Sequence, residues 1–381
     1  MSGSQLSYGS RAAAGRQPGG NRLDLASWPG ARQEPRAPGA ARAAACHNPR
    51  VKRVLTGIKA SGIPHLGNYY GAIRPALALA AREDVQGLFF IADYHALTLI
   101  HDGAELDRLI REIAAAWLAL GLDPARVVLY RQSAVPETFE LTWILSCFAS
   151  KGLLNRAHAY KARVDEAQRK QLDPDALVDM GLFNYPVLMA ADIVLFDCDL
   201  VPVGSDQLQQ IEIARDIVGR INHIYGEGVL HPPEGLCEDT ALLPGLDGRK
   251  MSKSYGNALP LFAPPKQLRK LVNRIVTDTS PPEAPKDPDA SLIFQIYRCL
   301  APAADTAALR ARYEAGIGWG DAKSELADLL ERVLAEPRAR YEELKANPER
   351  IDALLAEGAA RARQLAAPVM DRVRRAIGIA R

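Results

Sequence analysis

Short apolar runs that predict buried strands alternate with helical patterns in the first half of the chain. A helix between two strands returns the chain to the same end of the sheet, so the strands that it joins run parallel. The sequence therefore predicts an α/β fold: a Rossmann-like parallel sheet, covered by helices on both faces, that binds ligands at the carboxyl ends of its strands. The predicted strands are Val51 to Ile58, Gly87 to Ala92, Arg126 to Tyr130 and, as the last strand, Leu200 to Val203.

The remaining regions differ from this alternation in composition. Residues 1–49 are rich in Ala, Gly, Pro, Ser and Arg, which predicts a disordered tail. An organelle transit peptide and a start codon assigned too far upstream are the alternatives for this stretch. A glycine- and proline-rich loop over residues 226–262 closes the predicted first domain, 50–262. Helical patterns without strand signals fill residues 263–381, so we expect a second, all-helical domain there.

Composition excludes several classes of protein. The formal net charge is +2 over 381 residues, so any polyanion must be met by local basic patches. The five cysteines are widely spaced without a C-x-x-C pair, which argues against a zinc site and favours reduced thiols in the cytoplasm. No apolar run approaches the roughly 20 residues that span a bilayer, so we expect no membrane association.

Polar segments follow the predicted strands at the edge where ligands bind. Gly67 and Asn68 start a helix after the first strand, where free N–H groups and the positive helix end suit a phosphate. Asp93 and His95 follow the second strand, and Asp206 follows the fourth. Each segment has a structural alternative: an ordinary strand-to-helix turn, turn residues, or a helix cap.

A loop with two lysines is the most specific segment. It reads Gly248-Arg249-Lys250-Met251-Ser252-Lys253-Ser254. Two lysines in a mobile loop can close on a triphosphate and neutralise the charge that develops as pyrophosphate leaves. A solvated basic loop is the alternative, but a His-x-Gly-Asn turn at residues 65–68 precedes the lysines in the same fold, which favours a nucleotide site.

These two segments carry a resemblance to a known family. His65-Leu66-Gly67-Asn68 and Lys250 to Ser254 resemble the HIGH and KMSKS signatures of the class I aminoacyl-tRNA synthetases. The chain from about Arg53 to Arg381 resembles the tryptophanyl branch. The resemblance implies an enzyme that activates L-tryptophan with ATP and transfers it to the 3′ end of tRNA(Trp). The segments that carry it are Thr56 to Gly71, Ala92 to Thr98, Tyr185 to Ile193 and Val201 to Gln207.

The choice of amino acid is expected to rest on the helix that contains Met189 and Asp192. Residues three apart lie on one helix face, and an indole needs a soft apolar wall and one acceptor for its N–H. The resemblance implies that Asp192 accepts this N–H and Met189 packs on the ring, whereas tyrosyl relatives usually have glutamine in place of Met189. An interior carboxylate paired with an arginine is the alternative for Asp192. The implied tryptophan-binding set is Leu55, Gly57, His95, Tyr185, Met189, Asp192 and Gln207, with Leu55 replacing an aromatic residue of relatives.

The resemblance also implies which residues act on ATP. The catalytic set is His65, Gly67, Asn68, Lys250 and Lys253. The ATP-binding set is Lys59, Ser61, Gly67, Asn68, Gly204, Asp206, Lys250, Met251, Ser252, Lys253 and Ser254. Mg²⁺ is expected to be bound chiefly by the phosphates, without metal ligands from the protein. The cysteines of iron–sulfur members are missing, so no cluster is expected.

The family is homodimeric and contacts the anticodon with its helical domain. We therefore expect a cytoplasmic homodimer that binds tRNA(Trp) through residues 263–381. Three alternatives remain: a tyrosyl-tRNA synthetase, a small nucleotidyltransferase, and a non-catalytic paralogue that binds RNA. A nucleotidyltransferase would lack the lysine loop and the helical domain, and a silent paralogue is expected to have lost His65 or Lys253, which are both present.

Overall fold

A computed structural model describes residues 51–204, 207–237 and 243–380. The predicted tail, residues 1–49, and the predicted ATP ligand Asp206 lie outside these ranges.

In the described part of the chain, five parallel strands form one sheet in the order β3-β2-β1-β4-β5. The strands are β1 (Lys52–Lys59), β2 (Val85–Ala92), β3 (Val128–Arg131), β4 (Leu200–Val203) and β5 (Glu234–Cys237). The chain moves outward from β1 to β3 and then returns to the other side of β1 to form β4 and β5. This reversal opens a crevice at the carboxyl ends of β1 and β4, where open parallel sheets bind ligands. The predicted Rossmann-like sheet is confirmed.

The prediction that β4 is the last strand is wrong, because β5 follows it. β5 pairs with β4 in parallel, from Leu200 opposite Glu234 to Val203 opposite Cys237. A four-residue strand that contains Gly235 is too short to show a recognisable strand pattern in the sequence. The glycine is needed for packing, because a Cβ at Gly235 would lie 3.2 Å from Leu208.

Helices connect the strands and make up the C-terminal region. They are α1 (Leu66–Asn68), α2 (Arg74–Ala80), α3 (Asp93–Ala96), α4 (Gly103–Ala119), α5 (Glu137–Ser146), α6 (Lys151–Leu154), α7 (His158–Arg169), α8 (Met180–Val194), α9 (Leu208–Tyr225), α10 (Pro265–Asn273), α11 (Leu292–Leu300), α12 (Ala303–Ala315), α13 (Trp319–Ala346) and α14 (Pro348–Ile377). A π-helical turn, Tyr69–Ile73, joins α1 to α2 within the helix predicted from Gly67 to Arg82. α7 lies in a stretch with no predicted helix, because Ala167 is its one buried residue and leaves no apolar period.

Both faces of the sheet are covered by helices. Leu88 and Phe90 of β2 pack into a core with α8, α9 and α14. Phe89, which points to the opposite face because strand side chains alternate, packs edge-on against Trp117 of α4 with ring centroids 5.0 Å apart. The carboxyl edge of the sheet therefore lies between two layers of helices.

The C-terminal helix α14 packs back on β3. A Cβ at Gly358 would lie 1.7 Å from the carbonyl oxygen of Leu129, so only glycine allows this approach. Arg374 of α14 also pairs with Glu140 of α5. The described residues all belong to one compact unit, and the boundary at residues 262 and 263 stays a prediction. No helix in the described ranges has the length and apolar content needed to cross a membrane.

Candidate active site

Three side chains meet at the carboxyl edge of the sheet. His95 lies on α3 directly after β2, Gln132 lies in the 3₁₀ turn directly after β3, and Asp192 lies on the inner face of α8. The Asp192 carboxylate is 2% exposed. Its Oδ2 lies 2.9 Å from His95 Nε2, and the amide nitrogen of Gln132 lies 2.7 Å and 2.9 Å from its two oxygens. These groups form a buried acceptor site.

The environment of Asp192 acts on its pKa in two directions. Burial raises the pKa of this carboxyl, and the hydrogen bonds from His95 and Gln132 oppose that rise. The partners of Asp192 are thus a histidine and an amide and not an arginine, and Arg131 Nε, from the end of β3, lies 3.2 Å from Asp93 Oδ2 instead. Burial is the larger of the two effects and raises the pKa of Asp192, while the Gln132 amide donates to both oxygens of the carboxylate.

Apolar and aromatic side chains surround this acceptor. Tyr185, Met189 and Asp192 follow one another at spacings of four and three, so they share one face of α8. Met189 is half-buried against the core that contains Leu55. The ring of Tyr185 lies 6.2 Å from that of His95. The structure therefore brings five of the predicted tryptophan-binding residues to one region.

The other two predicted tryptophan-binding residues have different surroundings. Gly57 is exposed on β1, and a Cβ there would lie 2.4 Å from the ring of Phe90, so glycine makes room for that ring. Gln207 is exposed at the start of α9, where its N–H donates to the carbonyl of Gly204.

His65 and Asn68 cap the helical segment that follows β1. His65 Nδ1 accepts from the Asn68 N–H at 3.3 Å, and Asn68 Oδ1 accepts from the His65 N–H at 3.1 Å. Because Nδ1 is an acceptor, the proton of the neutral ring resides on Nε2. Burial, assisted by the charge of Lys253, lowers the pKa of His65 to about 4. His65 is therefore a neutral donor near pH 7.

The lysine loop closes on this turn from the other side. Met251 is buried, and its sulfur accepts the N–H of Gly67 at 3.3 Å. The Lys253 side chain lies over Gly62, where a Cβ would be 2.6 Å from Nζ, and partial burial lowers the pKa of Lys253. Lys250 is exposed, and its ammonium forms no ion pair with any described residue. The hydroxyls of the loop serines 252 and 254 lie 2.8 Å apart.

Two further predicted ATP ligands lie at the end of β1. Lys59 Nζ donates to Thr98 Oγ1 at 2.8 Å, and burial lowers the pKa of Lys59. Ser61 is exposed, and its N–H donates to the Lys59 carbonyl at 2.8 Å. Lys59 therefore lies between the turn of His65 and the helix of His95.

Asn257, which the sequence analysis did not select, organises the base of the lysine loop. It is 2% exposed. Its amide nitrogen donates to Asp247 Oδ1 at 2.7 Å and to the Lys250 carbonyl at 3.2 Å, and its oxygen accepts the Ser252 N–H at 2.8 Å. A Cβ at Gly245 would lie 2.3 Å from this amide. The loop is thus fixed at its base while Lys250 remains exposed.

Two buried amides in the tryptophan region were also missed. Gln210 is 3% exposed and donates to the Tyr185 hydroxyl at 2.9 Å. Gln132 directly follows β3, so the rule that selected His95 after β2 could have selected it as well. Within the described ranges, no three His, Cys, Asp or Glu side chains converge in a way that could hold a metal ion.

Comparisons with known proteins agree with this geometry. The family model of the class I tRNA synthetases for tryptophan and tyrosine (W and Y) matches residues 48–335. The chain is 52% identical to tryptophan--tRNA ligase of Pseudomonas aeruginosa over 330 residues, 86% of this chain and 74% of that protein. It is 49% identical to the enzyme of the same name from Neisseria meningitidis over 329 residues, 86% of this chain and 98% of that protein.

A solved structure shows the same fold. It is the crystal structure of tryptophanyl-tRNA synthetase from Campylobacter jejuni, complexed with ADP and tryptophan. The two chains superpose with a TM-score of 0.78 at 43% sequence identity. The match covers 86% of this chain and 99% of the other.

Proposed function

This chain belongs to the tryptophan--tRNA ligases, within the class I tRNA synthetases for tryptophan and tyrosine, and we propose that its reaction takes place at the carboxyl ends of β1, β2 and β3. The enzyme activates L-tryptophan with ATP and transfers it to tRNA(Trp). The observation that carries the site assignment is the buried Asp192 carboxylate, held by two donors on the face of α8 that also bears Tyr185 and Met189.

The part of the site that binds tryptophan, called the tryptophan end, selects its substrate with one hydrogen-bond acceptor set in an apolar wall. Asp192 accepts the indole N–H, and Met189 packs on the ring. Leu55 and His95 complete the wall. Tyr185, held by Gln210, and Gln207 bind the amino group of the substrate. A ligand without this N–H leaves an acceptor position of the buried carboxylate unfilled beside its ring, so such ligands bind less tightly.

The nucleotide end aligns ATP for in-line attack. An oxygen of the tryptophan carboxylate forms a bond to the α-phosphorus while the bond to the bridging oxygen of the β-phosphate breaks, so pyrophosphate leaves with the electron pair. The products are tryptophanyl-adenylate and pyrophosphate, and no enzyme nucleophile is needed. Lys250 and Lys253 neutralise the charge on the departing phosphates, and His65 donates from Nε2.

The remaining ATP contacts come from the turn and the strand ends. The turn contributes Gly67 and Asn68, and the N–H of Gly67 becomes available when the Met251 sulfur moves aside. Lys59, Ser61, Gly204, Asp206, Met251, Ser252 and Ser254 complete the set. In the second step, the terminal adenosine hydroxyl of the tRNA attacks the activated carbonyl, and AMP leaves.

ATP–pyrophosphate exchange tests the assignment. We expect exchange with tryptophan and little with tyrosine, because a tyrosyl enzyme shares the fold but uses a different ring acceptor. Charging of tRNA(Trp) under the same conditions tests the second step. Exchange that is faster with tyrosine, or none with either amino acid, would overturn the proposal.

Mg²⁺ is proposed to enter with the nucleotide. The lysine loop and the turn of His65 bring cations and N–H donors together, and such groups suit phosphate oxygens rather than a metal ion. The phosphates of ATP would therefore supply the metal ligands.

An exposed apolar patch supports a homodimer. The patch consists of Leu97, Leu99, Phe139, Trp143 and Met180. Trp143 is 73% exposed and Phe139 is 48% exposed, one turn apart on α5. Phe139 packs edge-on against Tyr94 at 4.4 Å, which links α5 to α3, the helix of His95. Large apolar side chains that are exposed together are typical of a protein interface, so we propose that a second copy covers them.

Sedimentation tests this assembly. Trp143→Glu would place a charge in the proposed interface, and we expect it to shift the protein from dimer to monomer. Ile224→Glu, at a 50% exposed position on α9, is the matched control and should leave the dimer intact. A native chain that sediments as a monomer at micromolar concentration would contradict the dimer.

The division of labour along the chain is part of the proposal. Residues 50–262 bind ATP and tryptophan, and the helices over residues 263–381 bind the anticodon of tRNA(Trp). The bacterial origin of the compared ligases supports a location in the cytoplasm, where bacterial translation takes place.

A further inference from the structure

Gln132 is the most completely buried polar residue at the edge of the sheet. Its side chain is 0% exposed, and it lies 60 residues before Asp192 in the chain. A buried amide that made no hydrogen bonds would destabilise the protein. Gln132 instead forms hydrogen bonds inside the site with both the oxygen and the nitrogen of its amide.

The two ends of the amide are oriented by different partners. Its oxygen accepts the backbone N–H of Tyr94 at 3.1 Å. Its nitrogen lies 2.7 Å and 2.9 Å from the two oxygens of Asp192. Rotating the amide by half a turn would set its oxygen against the carboxylate and its N–H against the N–H of Tyr94, so the orientation is fixed.

This fixed donor restricts the hydrogen-bonding role of Asp192. Gln132 presents only N–H groups to Asp192, and both oxygens of the carboxylate meet them as acceptors. His95 Nε2 fills one more position at 2.9 Å. An ionised carboxylate has about four acceptor positions, so at least one remains for a ligand.

We propose that Gln132 is a positioning residue that holds Asp192 as a hydrogen-bond acceptor, and so makes the site require an N–H donor on the ring of the amino acid. The inference rests on the proposed role of Asp192 in binding the indole N–H. Gln132 itself does not touch the substrate. It acts by donating to both oxygens of the carboxylate and by fixing the plane in which they lie.

A tryptophan analogue tests the requirement for a donor. In the benzothiophene analogue of tryptophan, sulfur replaces the indole N–H at nearly the same shape. The native enzyme should prefer tryptophan strongly in ATP–pyrophosphate exchange, measured as the ratio of the two kcat/KM values. Gln132→Met removes the donor at similar volume, and we expect this ratio to fall about tenfold, through a higher KM for tryptophan with little change in kcat.

Gln132→Glu is the second variant, because it keeps the shape of the side chain. Its carboxyl can donate to Asp192 only while the pair shares a proton, since two adjacent carboxylates repel. The KM for tryptophan of this variant should therefore rise between about pH 6 and pH 8.5 relative to that of the native enzyme. The groups that face the pair are Asp93, His95, Tyr130 and Arg131, and they are the same in both proteins.

A control separates positioning from general stability. Asn222 is another buried amide, bonded to the backbone of Leu230, and Asn222→Leu should lower stability without changing the tryptophan-to-analogue ratio. If Gln132→Met changes both substrates equally, or neither, Gln132 is a packing residue and the inference is wrong. If Asp192→Asn also leaves the ratio unchanged, the fault lies in the proposed role of Asp192.

Discussion

The proposed tryptophan end of the active site is buried and hydrogen-bonded, whereas the loop lysines of the proposed nucleotide end are exposed and form no ion pair with any described residue. Asp192 is 2% exposed and accepts from His95 and Gln132. Lys250 is exposed and has no ion pair among the described residues, and Lys253 lies against the turn of His65 without a carboxylate. The two ends therefore differ in whether their hydrogen bonds exist before the substrate arrives.

This difference matches what each end must do. Choosing tryptophan depends on contacts to the indole that are equally present in the bound substrate and in the transition state, so a fixed acceptor that cannot adapt to other rings discriminates between amino acids through kcat/KM. Transferring the adenylyl group depends on charge that develops only as pyrophosphate leaves. Cations that are not already paired are available for that charge, and interactions made only in the transition state raise kcat. Mutations at the two ends should consequently separate KM from kcat.

Lys253→Ala should have the largest effect of the substitutions, and this effect should be a lower kcat. Loss of one cation at the developing charge is expected to lower kcat for ATP–pyrophosphate exchange by about 10²–10³-fold. The KM for tryptophan should stay within about twofold, because the Lys253 side chain lies over Gly62 and not beside Asp192. Lys266→Ala, on the exposed face of α10, is the control. If this variant had a native kcat and weak tryptophan binding, the two ends would not act separately on kcat and KM.

Asp192→Asn should act on tryptophan binding. Asparagine would direct an N–H toward Gln132 or His95, and the indole would lose a charged acceptor, so kcat/KM for tryptophan should fall about 10²-fold, mostly through KM. Steady-state exchange at varied tryptophan measures this. Asp199→Asn, at the carboxylate that accepts the Arg53 N–H, is the matched control and should keep native kinetics. A fall in kcat alone would mean that Asp192 acts in the transition state.

The sequence predicted the parts of this site that follow from local patterns. Alternating periodicity predicted the parallel sheet, and the segments after its strands contain His65 and His95. Spacing on one helix predicted that Met189 and Asp192 share a face. These features depend on residues close in sequence and on one topological rule, so no knowledge of long-range contacts was needed.

The missed features depend on contacts between distant segments. The Gln132 amide is paired with a residue 60 positions away, and the N–H of Gly67 is paired with the sulfur of Met251, 184 positions away. Asn257 lies in a glycine-rich loop, where no period indicates which side chain is buried. β5 has four residues and is defined by its hydrogen-bonded pairing with β4. The position of Gln132 directly after β3 was a local signal, but the pairings themselves follow from the assembled fold.

Asn257→Ala tests whether the lysine loop of the nucleotide end needs the hydrogen bonds at its base. The variant removes the hydrogen bonds to Ser252, Asp247 and the Lys250 carbonyl, so the lysines should be held less well. We expect kcat/KM for ATP to fall about tenfold with an unchanged KM for tryptophan. Asn273→Ala, at the exposed end of α10, is the control. Native ATP kinetics in the variant would show that the loop closes without this base.

The contribution of the His65 pKa to stability should be the smallest of the predicted effects. Its pKa is lowered to about 4 in the folded protein, against about 6.5 in an unfolded chain. Between these values the unfolded chain binds more protons, so the free energy of unfolding should fall as the pH drops from about 6.5 toward 4.

Urea denaturation at about pH 7 and pH 5 measures this contribution. In the native protein, His65 should account for a loss of about 1 kcal/mol between the two conditions, after allowance for solvent screening. His65→Gln should remove that part of the pH dependence, although it lowers stability at both pH values by weakening the cap. His223→Gln, at an exposed position on α9, should leave the pH dependence as it is. An identical pH dependence in the native protein and His65→Gln would mean that His65 is protonated freely, and the nucleotide end would then carry one more charge at low pH than its neutral, buried imidazole implies.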